Sequence, residues 1–274
     1  PRGGRQASRN GIMQLTRSQI EEFNDRGYLF FPGLLDGREV AALQQAMPGI
    51  LSRPGPEVVP EKDNPQAARL VFGAHLYSEP FRRLSLLPRL LGPVQQLLKE
   101  EVYLHQSRIN PKPGLAGGAS WDWHQDYGAW HVVDGMPEPR CLMVAVFIDD
   151  CTPVNSPLLV VPGSHRDGFL DSIQLHRDAE GYSLYHIDED TFRRLAEENG
   201  IEALIGPAGS VCFCHSIVVH GSANNVSPWR RAIMYLIYNA VSNACTGTER
   251  PWFQNQRDFT PLRPIEDDSL RQCY

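Results

Sequence analysis

A mainly β fold, a double-stranded β-helix (jelly roll) core with supporting N-terminal helices and one inserted helix, is what this sequence predicts. Three observations carry the expectation. Short apolar runs separated by turn residues fill the chain from Val102 onward, and helical periodicity with capping residues fills the part before it. A His-x-Asp pair at His124 and Asp126 is answered only much later by His220, so distant segments must converge, as strands of a jelly roll do.

The elements follow in order. Thr16 with Gln19, or Ser18 with Glu21, offers a capping box for a first helix that Gly27 stops. Tyr28 to Pro32 reads as a strand. Asp36 caps a second helix with Val40, Leu43 and Met47 at helical spacing. Residues 52–66, rich in Pro and charge, read as a loop and a candidate lid. A third helical stretch covers Ser85 to Glu100, with Pro88 and Pro93 bending or dividing it. Strands are expected at Val102–Ile109, Cys141–Ile148, Leu158–Val161, Ser210–Phe213 and Ala232–Tyr238, with a helix inserted over Asp188 to Asn199.

At 274 residues and 42% hydrophobic content the chain fits one large domain with a sizeable core. Residues 1–12 carry Arg2, Arg5 and Arg9, no acid and no apolar periodicity. They read as a leftover of expression, so the domain spans 13–274 from Met13. The formal net charge is −6, and more acidic without those arginines, which disfavours nucleic acid and anionic membranes as partners. No apolar run approaches the length of a membrane span and no signal peptide is visible. Cys141, Cys151, Cys212, Cys214, Cys245 and Cys273 lack the spacing of a disulfide scaffold and read as free thiols of a reducing, cytoplasmic compartment.

Nine histidines make a single His-x-Asp pair unremarkable, but the ordered set His124, Asp126, His220-Gly221 and a following Arg is specific. On an extended segment His124 and Asp126 point to one face and can share a metal. Two imidazoles and one carboxylate hold Fe(II) on one face and leave positions for a bidentate 2-oxo acid and O2. An Arg then grips the far carboxylate of that acid with its flat fork. His220 is preferred to His215 as the distal ligand, because a tight turn at Gly221-Ser222 returns the chain to Arg231. Arg230 and Arg231 fall on opposite strand faces, Arg231 with Ile233, Tyr235 and Ile237, and alternation leaves both open. His165 reads as a turn residue, His75, His176 and His186 as solvated, and His131 as lining the cavity. Trp121, Trp123 and Trp130 crowd the metal segment, as core or as substrate wall.

The run Leu104 to Gly114, the stretch Trp123 to Pro137, Pro162-Gly-Ser-His165, Gly206 to Ser210 and His220 to Pro228 together resemble the phytanoyl-CoA dioxygenase superfamily. Within it they are most similar to the ectoine hydroxylases, from about Leu15 to about Ala244. The resemblance implies iron ligands at His124, Asp126 and His220, and 2-oxoglutarate held by Arg231 and Lys112. It implies substrate contacts at Gln106 and Trp130, and it allows a homodimer. Departures fall where specificity is set. Gln125 replaces Ser, Tyr127-Gly128-Ala129 replaces Phe-Glu-Thr, Cys214 replaces a cavity Phe, and Met143 and Ala145 replace a serine pair. Asn155-Ser156-Pro157 stands where the ectoine enzymes have Asn-Gly. With Trp121, Cys214 and Tyr235 these positions make up the expected substrate side.

The expected activity is Fe(II)- and 2-oxoglutarate-dependent hydroxylation of an unactivated C–H in a small polar or zwitterionic metabolite, releasing succinate and CO2. The same ligand set serves epoxidation, desaturation, cyclisation and epimerisation, and a jelly-roll binding or sensor protein would keep the fold without turnover.

Overall fold

The computed structural model of the protein describes residues 12–62, 64–115, 118–170, 174–177 and 183–274. Residues 1–11 of the expected leftover and the His176 side chain lie outside the described residues.

Helix α1 (Arg17–Arg26) starts at Thr16, whose side chain accepts from the Gln19 N–H while the Gln19 side chain caps the Thr16 N–H, so the box is the first of the two expected. Gly27 ends it at φ 80°, where a Cβ would meet His165 Nδ1 and Val218 at 2.5 Å. Strand β1 (Tyr28–Phe31) leads to α2 (Gly37–Leu51), capped by Asp36 with Glu39 in a second reciprocal box. The segment expected as a loop contains β2 (Val58–Pro60), which pairs antiparallel with an unexpected β3 (Ala68–Phe72). Val58 and Val59 favour the strand, and Pro60 is tolerated because β2 lies at the sheet edge.

Two short helices, α3 (Ala74–Tyr77) and α4 (Glu79–Leu84), precede α5 (Pro88–Leu98). Pro88 occupies the first position of α5, where no N–H is needed, so it starts this helix rather than bending it; Pro93 lies inside. The remaining elements are β4 (Val102–Asn110), β5 (Trp121–His124), α6 (Tyr127–Val132), β6 (Cys141–Phe147), β7 (Leu158–Val160), β8 (Gln174–Arg177), β9 (Ser183–His186), α7 (Glu189–Asn199), β10 (Glu202–Leu204), β11 (Val211–His215), β12 (His220–Ser222) and β13 (Ile233–Ala240). His220-Gly221-Ser222 is therefore a strand, not the tight turn expected of it.

The strands form two antiparallel sheets, β1-β11-β6-β13-β4-β3-β2 and β10-β7-β12-β5-β9-β8, the double-stranded β-helix core. Alternation along β13 shows how they are used. Met234, Leu236 and Tyr238 face an outer layer where Leu43, Met47, Leu90 and Val94 of the helices pack. Ile233, Tyr235 and Ile237 face inward with Met143, Cys212, Cys214, Leu158 and Val160, filling the space shared by both sheets. Helix α7 covers the second sheet through Leu195 and Phe192 against Val161, Val219 and Trp123. The mouth of the barrel is left to Leu70, Phe72 and Phe253, with Trp121 beside them. No helix among the described residues is long and apolar enough to cross a membrane, and all six cysteines are unpaired.

Candidate metal centre

His124 ends β5, and its Cα lies in register with that of His220 on β12. The chain then leaves the strand, and Asp126 has helical dihedrals, φ −57° and ψ −34°, at the start of α6. The two side chains do meet, but not as an extended pair. The strand end and the first helical turn bring them together.

His124 Nε2 lies 3.4 Å from Asp126 Oδ1 and His220 Nε2 lies 3.7 Å from Asp126 Oδ2. The three groups offer ligand atoms within 4.8 Å of one another, and they are the one such cluster among the described residues. Each imidazole is oriented from behind. His124 Nδ1–H donates to the Asp122 carbonyl at 2.6 Å, and His220 Nδ1–H donates to the Val218 carbonyl at 3.0 Å. Those bonds set the tautomer and aim both Nε2 lone pairs at the common centre. Burial pushes the His220 imidazole down to about 4, with His124 beside it adding to the effect. Burial alone would raise the Asp126 carboxyl, yet Arg108 and the two imidazoles outweigh it and hold the group well below the usual carboxylate range. The centre therefore presents two imidazole nitrogens and one carboxylate, the donor set that suits Fe(II).

A cleft of about 380 Å³ opens onto these ligands, lined also by Leu70, Arg108, Asn110, Trp121, Leu158, Ser222 and Tyr235. Arg231 is 1% exposed; its Nε donates to the Ser156 carbonyl at 2.7 Å, and its Nη1 has no partner. The buried Asn110 Oδ1 is also unpartnered. Arg231 acts electrostatically on the cleft residue Tyr235, as Arg108 and Asp126 do. An unsatisfied buried guanidinium N–H there and an unsatisfied Asn110 amide oxygen suit an anionic, chelating cosubstrate, so the residues fit iron and a 2-oxo acid. Arg230 points the other way, onto Asp149 at 2.7 and 2.8 Å. Lys112 lies under the same region, where its ammonium donates to the carbonyls of Ala119 and Ala223. Burial, then Arg231, pushes it down to about 6.

On the substrate side, Trp121 lines the cleft with Arg69 stacked on its outer face at 4.0 Å. Tyr235 lines it under Arg108, at 5.3 Å. Trp130, on α6, is 1% exposed and meets His105 edge-on at 5.9 Å. Gln106 donates to the Gln254 carbonyl at 2.6 Å and accepts from Arg108 at 2.8 Å. Cys214 is fully buried opposite Met143 in the inner core. Trp123 instead stacks on Phe192 of α7 at 4.4 Å.

Several histidine expectations need correction. His131 is exposed and stacks on Tyr127 at 5.1 Å, outside the cavity. His75 is not solvated but half-buried, 2.6 Å from Ser107 Oγ. His186 is half-buried too, 3.4 Å from Asp122. His215 packs between Phe23 and His165, with centroids at 6.3 and 5.6 Å, away from the centre. His165 sits in a short helical turn, Ser164–Asp167, as expected.

Arg108, Asn110 and Ser222 are the cleft residues that sequence reasoning passed over. Gln106, Arg108 and Asn110 alternate along β4, so the two that were missed share the strand face of the one that was named. His105, fully buried against Asp134 at 3.0 Å, also went unread.

The phytanoyl-CoA dioxygenase (PhyH) family model matches residues 23–233. The chain is 37% identical over 253 residues to an L-proline trans-4-hydroxylase of Streptomyces griseoviridis, covering 89% of this chain and 94% of that protein. It is 38% identical over 275 residues to an ectoine dioxygenase of Bordetella bronchiseptica, covering 94% and 87%. The structure of EctD from S. alaskensis with 2-oxoglutarate and 5-hydroxyectoine is similar at TM-score 0.80 and 35% identity, covering 92% of this chain and 87% of that one. The same enzyme with bound Fe is similar at 0.79. The chain belongs to the phytanoyl-CoA dioxygenase (PhyH) family and is a 2-oxoglutarate-dependent non-haem iron oxygenase, with Fe(II) as cofactor and O2 as the second cosubstrate.

Proposed function

We propose that the protein hydroxylates an unactivated C–H of a compact zwitterionic amino or imino acid, of the proline kind before ectoine. In this reading His124, Asp126 and His220 hold the Fe(II), and Arg231 anchors the far carboxylate of 2-oxoglutarate. The observation that carries it is the convergence of those three side chains, joined by a buried guanidinium with an unpaired N–H that acts on the cleft residue Tyr235. The iron, with 2-oxoglutarate and O2, supplies the oxidising power that removes a hydrogen from such a bond.

The chain supplies position and dryness. Arg231 Nη1 receives one carboxylate while Ser156 fixes the rest of the fork. Asn110 turns its amide to present either oxygen or N–H, and Ser222 adds a hydroxyl in the same cleft. Lys112 stands near Arg231, whose charge helps to push its pKa down, and a bound anion would offset that effect. Trp121, Tyr235, Leu70 and Leu158 exclude water from the face where substrate meets the metal.

Size and lining favour a small substrate. The cleft is narrow and lined by a few large side chains, among them Trp121, Tyr235 and Arg108, and the cosubstrate shares it. The relative acting on L-proline is matched over 94% of its length. Cys214, Met143 and Ala145 remove the aromatic wall and hydroxyls of the ectoine enzymes that the sequence resembles, and a site that loses polar partners discriminates against the ligand that used them. Five buried, unpaired cysteines suit a reducing compartment such as the cytoplasm.

The test is succinate release over a panel of L-proline, ectoine, lysine-like and other small zwitterions, with product mass for each hit. We expect an imino acid to lead and its product to gain one oxygen. Ectoine turnover equal to the best hit removes the substrate assignment, and a product that has lost two hydrogens removes hydroxylation.

A further inference from the structure

The two oxygens of Asp126 face different partners. Oδ1 lies toward His124 Nε2 at 3.4 Å, while Oδ2, 3.7 Å from His220 Nε2, accepts a hydrogen bond from Arg108 Nη2 at 2.5 Å. Arg108 sits on β4, 6% exposed, over the Tyr235 ring at 5.3 Å and near the Trp130 ring at 6.0 Å. Its other terminal nitrogen donates to Gln106 Oε1 at 2.8 Å, and Gln106 in turn donates to the Gln254 carbonyl at 2.6 Å.

Arg108 thus serves the carboxylate as the Asp122 and Val218 carbonyls serve the two imidazoles. In each case a group behind the ligand fixes which atom faces the centre. The difference lies in what stands behind it. The imidazoles are pinned by backbone carbonyls two residues back in the chain. The carboxylate is pinned by a side chain from the opposite sheet, and that side chain is held by the residue whose neighbour, Gln254, belongs to the C-terminal segment. A guanidinium fork holds both acceptors in one fixed, planar geometry, which the rotating donors of an ammonium do not reproduce.

We infer that Arg108 is a positioning residue that fixes the orientation of the Asp126 carboxylate between the two imidazoles, and that through Gln106 it ties that carboxylate to the wall built by the C-terminal segment at Gln254. The inference rests on the reading of Asp126 as a ligand. Freed of Arg108, the carboxylate loses that fixed orientation.

The test is Mn(II) binding to the metal-free full chain, followed by electron paramagnetic resonance without turnover. Arg108→Gln should weaken Mn(II) roughly ten- to a hundredfold, the usual effect of removing an outer partner of a metal ligand, and change the spectrum of the bound ion. Arg108→Lys keeps the buried charge and so protects the fold. It should restore most of the affinity, leaving about a three- to tenfold deficit because its ammonium lacks the fixed fork that spans Asp126 and Gln106. Affinity within twofold of wild type in Arg108→Gln, or in Arg108→Lys should the former not fold, overturns the inference. His124→Ala separates the two readings. If that variant also binds Mn(II) normally, the metal centre itself has been misassigned; if it loses Mn(II) while both Arg108 variants keep it, only the role of Arg108 is refuted.

Discussion

Replacing Arg231 by Leu removes a buried guanidinium whose Nη1 has no partner among the described residues. The expected loss can be worked out from its surroundings. Truncating one side of a buried, hydrogen-bonded charge pair costs about 2–5 kcal/mol, which at about 1.4 kcal/mol per decade is roughly thirtyfold to several thousandfold in affinity. Arg231 is 1% exposed, so solvent screens the pair little and the upper part of that range is expected. The Ser156 carbonyl also loses its donor at 2.7 Å, a cost of about 1–3 kcal/mol to the fold; circular dichroism must therefore accompany the titration. The assay is calorimetric binding of 2-oxoglutarate to Mn(II)-loaded protein. Arg231→Leu should bind the metal as before and 2-oxoglutarate at least thirtyfold more weakly. Arg231→Lys should fall between, keeping the charge without the fork. A 2-oxoglutarate affinity within about threefold of wild type in folded Arg231→Leu refutes the assignment.

Other consequences follow from the same structure. Burial pushes His75 and His215 down to about 4 in the fold, His165 adding to the effect at His215, against an unfolded value near 6.5. The unfolded chain then takes up protons first as pH falls, so stability is full above pH 6.5 and is lost between 6.5 and 4. Urea midpoints measured across that window should show the fall, and it should be shallower in His75→Gln; identical slopes would contradict this. Arg89→Met leaves the fully buried Glu39 with Arg271 at 4.0 Å as its nearest remaining cation, and should cost about 3–5 kcal/mol in urea unfolding; a loss under 1 kcal/mol would show the pair to be dispensable. Asp126→Ala should abolish succinate formation, and retained hydroxylation would remove Asp126 from the centre. Cys214→Phe with Met143→Ser should shift turnover from imino acids toward ectoine. Because Cys214 is fully buried, overpacking should cost about 1–3 kcal/mol unless the ring enters the cleft; an unchanged substrate ratio would place Cys214 in the core alone.

Features with local causes were legible in the sequence. The capping residues Thr16 and Asp36 and the stop at Gly27 act within one helical turn, and each does what its residue type predicts. The core strands β6 and β13 were legible as apolar runs, and both are buried along their whole length, as is β4. Short strands were read unevenly. β7 was expected at Leu158–Val161, but β10 and β12, also three residues each, were not, since their pairing comes from neighbours distant in the chain. The convergence on the centre was expected for a partly wrong reason, because the period of two at His124 and Asp126 hid the onset of α6. The tryptophans show a similar limit. Trp121 and Trp123 are two apart and would share a face of a regular strand, yet one lines the cleft and the other packs on α7. The pairing of β5 with β12 shifts register between His220 and Ser222, and such an irregularity re-aims side chains that alternation alone would align. Arg108 and Asn110 were within reach of alternation from Gln106.

The most direct test is anaerobic addition of Fe(II) and then 2-oxoglutarate to the metal-free protein, followed by visible absorption. Wild type should develop a weak charge-transfer band that saturates at one equivalent of iron, and His220→Ala should develop none. Folded wild-type protein without that band, or a His220→Ala variant that keeps it, would contradict the assignment of His124, Asp126 and His220 to a single iron that takes 2-oxoglutarate.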